Sequence, residues 1–163
     1  MAASGAAIEV RTEVEWLIAL LAALSWLAAL IHAAVVPEHW SEHEPFAVCF
    51  ALLAVVQGGW AVAFFRRPTA GLLAFAAVLS FGVAAVWALS RTTGLPVGPE
   101  PGTAEPVGSL DVAATAVELF LGVVAVGLVR TWPAMSIPRW LIPMGTVLLL
   151  AGGVALVIGG HAH

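Results

Sequence analysis

Long apolar stretches constrain this chain more than any other feature of its sequence. A helix that crosses the hydrocarbon core of a bilayer needs about 20 mainly apolar residues. The chain has five such stretches, at residues 14–36, 46–65, 70–89, 112–129 and 140–160. Its sequence shows no alternating apolar pattern of the kind that forms membrane β-strands. We therefore expect an all-α polytopic membrane bundle, a single domain of five transmembrane helices.

The composition agrees with a bilayer environment. Of the 163 residues, 61% are apolar and 10% are charged, whereas about a quarter of a soluble domain is charged. Lys and Arg together number 6 against 10 Asp and Glu, a net charge of -4, which argues against a nucleic-acid partner. The sequence contains a single cysteine, Cys49, so an internal disulfide is impossible. The lipid bilayer is the predicted partner.

The arginines predict the orientation of the spans, because basic residues beside membrane helices accumulate on the cytoplasmic side. The arginines of the predicted inner side are Arg11, Arg66, Arg67, Arg130 and Arg139. Arg91 alone falls on the other side. The pattern predicts a multi-pass protein of the inner (plasma) membrane, with the N-terminus inside and the C-terminus outside.

Histidines concentrate on the predicted outer side. They are His32, His39, His43, His161 and His163. The segment between Pro37 and Pro45 suits a short interfacial helix, since proline is favoured in a first helical turn. Such a helix would place His39 and His43 on one face, four residues apart, a common way to offer two imidazoles to one metal ion.

Span four contributes acidic groups at the same level of the membrane. Asp111, Thr115 and Glu118 are spaced by four and three residues, so they share a helix face. A carboxyl as deep as Glu118 costs on the order of a few kcal/mol unless it is protonated, paired or bound to a cation. His32 lies in the same half of the membrane and is its predicted partner.

These residues lead to the hypothesis of an outward-facing metal site of imidazole and carboxylate ligands. The predicted ligands are His32, His39, His43, Asp111 and Glu118. Zinc or copper suits such ligands, and iron is possible, whereas magnesium prefers oxygen ligands alone. A haem is disfavoured, because His32 is the one histidine embedded within a span. A metal ion with an open position could support a redox or hydrolytic step.

Further residues are candidates for ligands or for groups that orient them. They are Glu38, Glu42, Arg91, Gln57 and Cys49. Each also has a structural interpretation: Gln57 as an interhelical hydrogen-bond donor, Cys49 as a small apolar filler. Arg91 is expected to pair with Glu100, Glu105, Asp111 or Glu118, or to reach lipid headgroups.

Two outer connections are predicted, at residues 37–45 and 91–111. The second is rich in Gly and Pro, and a loop of that length without helix or strand pattern is typical of a functional cover or of disorder. The sequence contains no Gly-rich phosphate loop, nucleophile elbow or Cys-x-x-Cys pair, so no catalytic residue is predicted.

The motifs Pro37-Glu-His-x-x-Glu-His43 and Ser90-Arg-Thr-Thr-Gly-Leu-Pro-x-Gly-Pro99, followed by Asp111 and Glu118, resemble those of a group of small polytopic bacterial membrane proteins of unknown function. The resemblance covers spans one to four. It implies a membrane bundle and, since no activity is known for the group, no mechanism.

Two further functions fit the sequence. One is a non-catalytic accessory subunit of a larger membrane complex, with other membrane proteins as partners. The other is a proton-coupled carrier with Glu118 and His32 as a relay. The carrier is weakened because ionisable residues do not continue towards the inner side, apart from Glu15 near its entrance.

Overall fold

Each predicted span in the described part of the chain forms one long helix. The computed structural model describes residues 2–131, with side chains described for residues 16–130. The helices are α1 (Ala2–Glu42), α2 (Glu44–Arg66), α3 (Ala70–Thr92) and α4 (Ser109–Thr131). All four are long and apolar enough to cross a membrane, and residues 2–131 contain no strand. The predicted fifth span, together with Arg139, His161 and His163, lies outside the described residues.

The first outer connection differs from its prediction. Helix α1 continues through Pro37 to Glu42, so there is no separate interfacial helix between two loops. Pro37 removes only one backbone hydrogen bond from the helix. In the same region His39 Nδ1 lies 2.9 Å from the Val35 carbonyl, and the Ser41 hydroxyl donates to the Glu38 carbonyl at 2.7 Å. These side-chain hydrogen bonds help to hold the last turns of α1.

The connections between helices are of very different lengths. His43, in extended backbone conformation, is the one residue between α1 and α2. A short turn joins α2 to α3, where the Thr69 hydroxyl caps α3 by accepting a hydrogen bond from the Leu72 amide at 3.2 Å. Residues 93–108, without helix or strand, join α3 to α4. These connections make neighbouring helices antiparallel.

The bundle therefore has two ends. The loop end carries the C-termini of α1 and α3, the N-termini of α2 and α4, and the 93–108 connection. The arginine end carries Arg66, Arg67 and Arg130. Helix α1 packs along α2 and α3 packs along α4, while α1 also contacts α4. Between α2 and α3, the Trp60 indole donates to the Leu72 carbonyl at 2.7 Å.

Small residues set how closely the helices approach. A Cβ atom on Gly58 would lie 3.3 Å from the Trp26 ring, and one on Gly122 would lie 3.1 Å from the Phe81 ring. Glycine at these two positions lets a large ring of the neighbouring helix lie directly on the backbone. One contact of a ring with a glycine lies between α1 and α2, and one lies between α3 and α4.

Buried apolar and polar side chains are distributed unevenly along the bundle. A cluster of buried apolar residues lies towards the arginine end; its largest members are Leu21, Trp60, Phe64, Leu73 and Leu121. Buried polar side chains extend from the loop end to the middle of the bundle; they are His43, Ser90, Thr115, His32, Glu118, Gln57, Ser25 and Ser80. Large apolar side chains such as Val55, Val78 and Val123 point outwards, as expected of helices in contact with lipid.

Candidate intramembrane polar site

Three polar side chains from three helices meet inside the bundle. His32 comes from α1, Gln57 from α2 and Glu118 from α4. Glu118 has 0% of its surface exposed, Gln57 1% and His32 4%. We call these three residues the polar cluster.

The helical repeat explains why these side chains face inwards. On α4 the buried residues Ala114, Glu118, Leu121 and Ala125 are spaced by three or four positions, which is one stripe of a helix. His32 continues a similar stripe on α1. The neighbours of each polar residue on its stripe are mostly Ala, Gly or Leu, so tight packing carries the polar side chain into the interior with them.

Glu118 is the centre of the contacts in the cluster. The Gln57 amide nitrogen Nε2 donates a hydrogen bond to Glu118 Oε1. His32 Nε2 lies 3.5 Å from the same carboxyl oxygen, close enough for an ion pair but longer than an ordinary hydrogen bond. The predicted pairing of His32 with Glu118 is therefore present, and Gln57 forms the predicted interhelical hydrogen bond.

The hydrogen-bonding capacity of the cluster is not used up within it. His32 Nε2, Gln57 Oε1 and Glu118 Oε2 are buried and have no hydrogen-bond partner in the described part of the structure. Buried polar atoms in native proteins are nearly always satisfied. Each residue of the cluster thus keeps one atom that can hydrogen-bond to a water molecule, and on His32 and Glu118 that atom can also bind a proton.

The depth of the cluster makes its charge state important. At roughly 1.5 Å of rise per residue, Glu118 lies about 14 Å along α4 from its start, close to the middle of that helix. Among the described residues, His32 is the ionisable group within ion-pair distance of Glu118, and no arginine is.

The other two predicted ligands from the first connection lie elsewhere. The His39 ring is directed at the Val35 carbonyl and packs against Phe50, with ring centroids 4.6 Å apart. His43 lies edge-on to Phe46, with ring centroids 4.7 Å apart. His43 follows the last residue of α1, and its amide still donates to the His39 carbonyl at 2.7 Å, as in a helix. Binding of one metal ion by these two imidazoles stays a prediction.

Asp111, the remaining predicted ligand, is held by an arginine. Arg91, near the end of α3, donates to Asp111 Oδ2 at 2.6 Å and also to Glu105 in the 93–108 connection. The same Asp111 oxygen accepts a hydrogen bond from the Gly108 amide at 3.0 Å. Arg91 thus pairs with two of its four predicted partners. Through these two ion pairs it links the 93–108 connection to the end of α3 and to the start of α4.

The 93–108 connection packs on the loop end as a cover. A Cβ atom on Gly98 would lie 2.8 Å from the Phe46 ring, so the connection lies directly on α2. The Glu105 amide donates to the Ser90 carbonyl at 2.9 Å. Between the connection and the end of α1 is a cavity of about 300 Å³ that Glu42 and Glu100 help to line. Glu38 is exposed on the surface of α1.

The structure does not gather the predicted metal ligands into one centre. Among the described residues, no group of three or more His, Cys, Asp and Glu side chains is placed to hold a metal ion. Cys49 is half-buried on α2. The metal centre remains a prediction, of which the structure assembles only the contact between His32 and Glu118.

One residue of the site was not predicted. The Phe50 ring lies between His32 and His39, stacked on the first at a centroid distance of 5.7 Å and tilted against the second. The second apolar stretch alone contains four phenylalanines, at positions 46, 50, 64 and 65, so the sequence has no signal that separates Phe50 from its neighbours.

Comparison of the sequence with protein-family models, with curated proteins and with solved structures finds no match. The structure itself defines the class. The described residues form an all-helical bundle whose four membrane-length helices indicate a multi-pass membrane protein, with a polar cluster buried among them.

Proposed function

We propose that this chain is a membrane carrier that moves protons, with Glu118 as the group that takes up and releases the proton. The observation that carries this proposal is the burial of Glu118 at 0% exposure, in contact with the Gln57 amide and His32. Ionisable side chains inside membrane helices are costly, and they commonly serve proton relays or ion pathways.

The contacts suit a group that changes its protonation state. The Gln57 amide stabilises the Glu118 carboxylate by donating a hydrogen bond to it. The neighbouring His32 ring can receive the proton when Glu118 loses it, which keeps the cluster neutral. Because Glu118 Oε2 has no partner among the described residues, it is the oxygen at which the proton can reside.

The apolar half of the bundle favours a carrier over an open channel. Leu21, Leu73 and Leu121 belong to the buried apolar cluster, which separates the polar cluster from the arginine end. A continuous water-filled path through such packing is not available. The proton would instead cross with a change of conformation, as in alternating access.

We also propose that the bundle has five spans, with the arginine end in the cytoplasm. The four described helices, the position of Arg66, Arg67 and Arg130 at one end and the lone Arg91 at the other support this orientation. In the plasma membrane the loop end, with the cover over the polar cluster, would then face outwards.

Proton flux in proteoliposomes tests the function. We expect vesicles that contain the protein to take up protons faster than empty vesicles under an imposed potential, as measured with an enclosed pH-sensitive dye. Glu118→Gln should lower proton uptake to the rate of empty vesicles, since the glutamine amide, unlike a carboxylate, does not take up a proton. Glu42→Gln, the same change at an exposed acid of α1, is the matched control and should keep the flux.

A metal measurement decides between this function and the metal centre. We expect detergent-purified protein to contain no stoichiometric first-row metal. If zinc, copper or iron is bound at one equivalent and is lost in His32→Ala, the carrier proposal is overturned and the predicted metal centre replaces it. A stable complex with other membrane proteins and no proton flux would instead favour the accessory subunit.

A further inference from the structure

The two halves of the bundle differ in how they can be hydrated. Towards the arginine end the interior is filled by apolar side chains, of which Leu21, Phe64 and Leu73 are fully buried. Towards the loop end the buried side chains include His32, His43, Ser90 and Thr115. This distribution favours entry of water from the loop end.

A column of three rings connects the loop end to the cluster along the seam between α1 and α2. His39, half-buried near the end of α1, lies against Phe50 at a ring-centroid distance of 4.6 Å. Phe50 in turn stacks on His32 at 5.7 Å with an interplanar angle of 26°. His32 Nε2 reaches Glu118 at 3.5 Å. The apolar Phe50 ring is thus interposed between two polar rings.

We propose that the α1–α2 seam is the entry path by which water and small cations reach the polar cluster, and that Phe50 is the barrier that limits entry by size. The inference rests on the proposed function for the identity of what enters, namely a hydrated proton. The barrier itself follows from the ring contacts. Phe50 is a positioning and selectivity residue, since it acts through its ring contacts with His32 and His39.

A second route to the polar cluster, along α4, is closed by an arginine. Asp111 and Thr115 lie on the same face of α4 as Glu118, towards the loop end. Arg91 closes that route, because its side chain is 13% exposed and bonds both Asp111 and Glu105. A guanidinium group that forms two ion pairs is anchored more firmly than a phenyl ring that is held by packing alone. The ring is therefore the easier of the two barriers to displace.

Cysteine labelling tests the assignment in the full chain. In a Cys49→Ala background, Gln57→Cys places one thiol in the polar cluster, and Glu118→Cys serves as a second reporter should the first not fold. A small, membrane-impermeant, cationic methanethiosulfonate reagent is added to one side at a time of vesicles of known orientation. We expect slow modification from the loop end and none from the arginine end.

Substitution of Phe50 should change the rate at which the reporter cysteine is modified. Phe50→Ala is expected to raise the modification rate about tenfold, equivalent to about 1.4 kcal/mol of barrier, and Phe50→Trp to lower it. Phe120→Ala, the same change at a side chain 51% exposed on α4, is the matched control and should leave the rate unchanged. Ala76→Cys, in place of the reporter and within the buried apolar cluster nearer the arginine end, should stay unreactive.

Two results would overturn the assignment. Modification from the arginine end shows that the entry path lies on the other side. Acceleration by Arg91→Gln without acceleration by Phe50→Ala places the entry along α4. The labelling does not depend on transport, so a one-sided, Phe50-dependent rate in a protein without proton flux would retain the entry path and reject the carrier.

Discussion

Glu118 and Gln57 show how a single buried hydrogen bond can decide where a membrane bundle is sensitive to mutation. Neither side chain reaches solvent, and each is the other's closest polar contact. A buried polar group that loses its partner costs about 1–3 kcal/mol, whereas replacing both partners by apolar groups is nearly neutral. The effect of changing one residue therefore depends on whether the other is present.

We predict that Gln57→Leu destabilises the bundle by roughly 1–3 kcal/mol, because Glu118 keeps its carboxyl and loses the amide donor. The double variant Gln57→Leu with Glu118→Leu should recover most of that loss. Unfolding of the purified protein in detergent measures both. Additive losses in the double variant would show that the two side chains are not coupled and would contradict the observed contact.

Two glycines in the 93–108 connection differ in what a side chain would meet. Gly94 and Gly102 both have positive φ, 73° and 76°, which disfavours other residues. A Cβ atom on Gly94 would also lie 2.5 Å from backbone atoms of Thr103, whereas one on Gly102 meets nothing within 4 Å. The first is constrained by both conformation and space, the second by conformation alone.

We predict that Gly102→Ala lowers the free energy of unfolding by about 1 kcal/mol, from the left-handed conformation, and that Gly94→Ala lowers it by more. Gly59→Ala is the control, since Gly59 lies in α2 with nothing within 4 Å of the added atom. Thermal unfolding in detergent ranks the three. A Gly94→Ala protein as stable as Gly102→Ala would mean that the connection does not fold as tightly as described.

At the scale of the elements, the 93–108 connection is held to the bundle at few points. Arg91 binds Glu105 within the connection and Asp111 in the first turn of α4. Glu105 is 46% exposed, so its own ion pair contributes little, at most about 1 kcal/mol. The value of Arg91 lies in joining two elements that have few other polar links.

We predict that Arg91→Gln frees the connection without unfolding the helices. Limited proteolysis within residues 93–108 should become several-fold faster, while the thermal midpoint of the bundle changes little. Arg130→Gln, an exposed arginine of the other end, is the control and should have no effect on cleavage. Equal cleavage rates for Arg91→Gln and the unmodified protein would mean that packing of Gly98 on Phe46 is sufficient.

Helix α1 extends beyond the proline at which its span was predicted to end. Proline at position 37 predicts the end of a span, yet the helix continues for five further residues to Glu42. The cost of the lost backbone bond is limited near a helix end, and contacts between α1 and α2 hold the extension in place. His39 is carried into the bundle by this extension, where it meets Phe50.

At the scale of the whole molecule, the helices present apolar side chains outwards and separate their charges between two ends. Arg66 and Arg67 lie at one end, and Arg91 with its acidic partners lies at the other. Positive charge on one side favours a single insertion direction.

We predict that single cysteines tested in intact cells will react by side, in a Cys49→Ala background. A cysteine at Thr103 in the 93–108 connection should react with an impermeant reagent added outside, and one at Thr69 between α2 and α3 should not. Changing Arg66 and Arg67 together to Gln should produce a mixed orientation. Reaction of Thr69→Cys alone from outside would reverse the proposed topology.

The sequence by itself determined the helices of the described part and the order in which they carry their polar residues. Both follow from local physics: apolar side chains leave water, and in lipid each helix satisfies its own backbone hydrogen bonds. The antiparallel order of the spans then placed His32 and Glu118 at similar depth, and their predicted contact is present.

Only the tertiary structure decided which polar groups meet. The rotation of each helix about its axis depends on how small residues such as Gly58 and Gly122 receive rings of the neighbouring helix, and spacing along the chain does not specify that. Packing therefore brought Gln57 to Glu118, turned Asp111 to Arg91 and set Phe50 between two histidines.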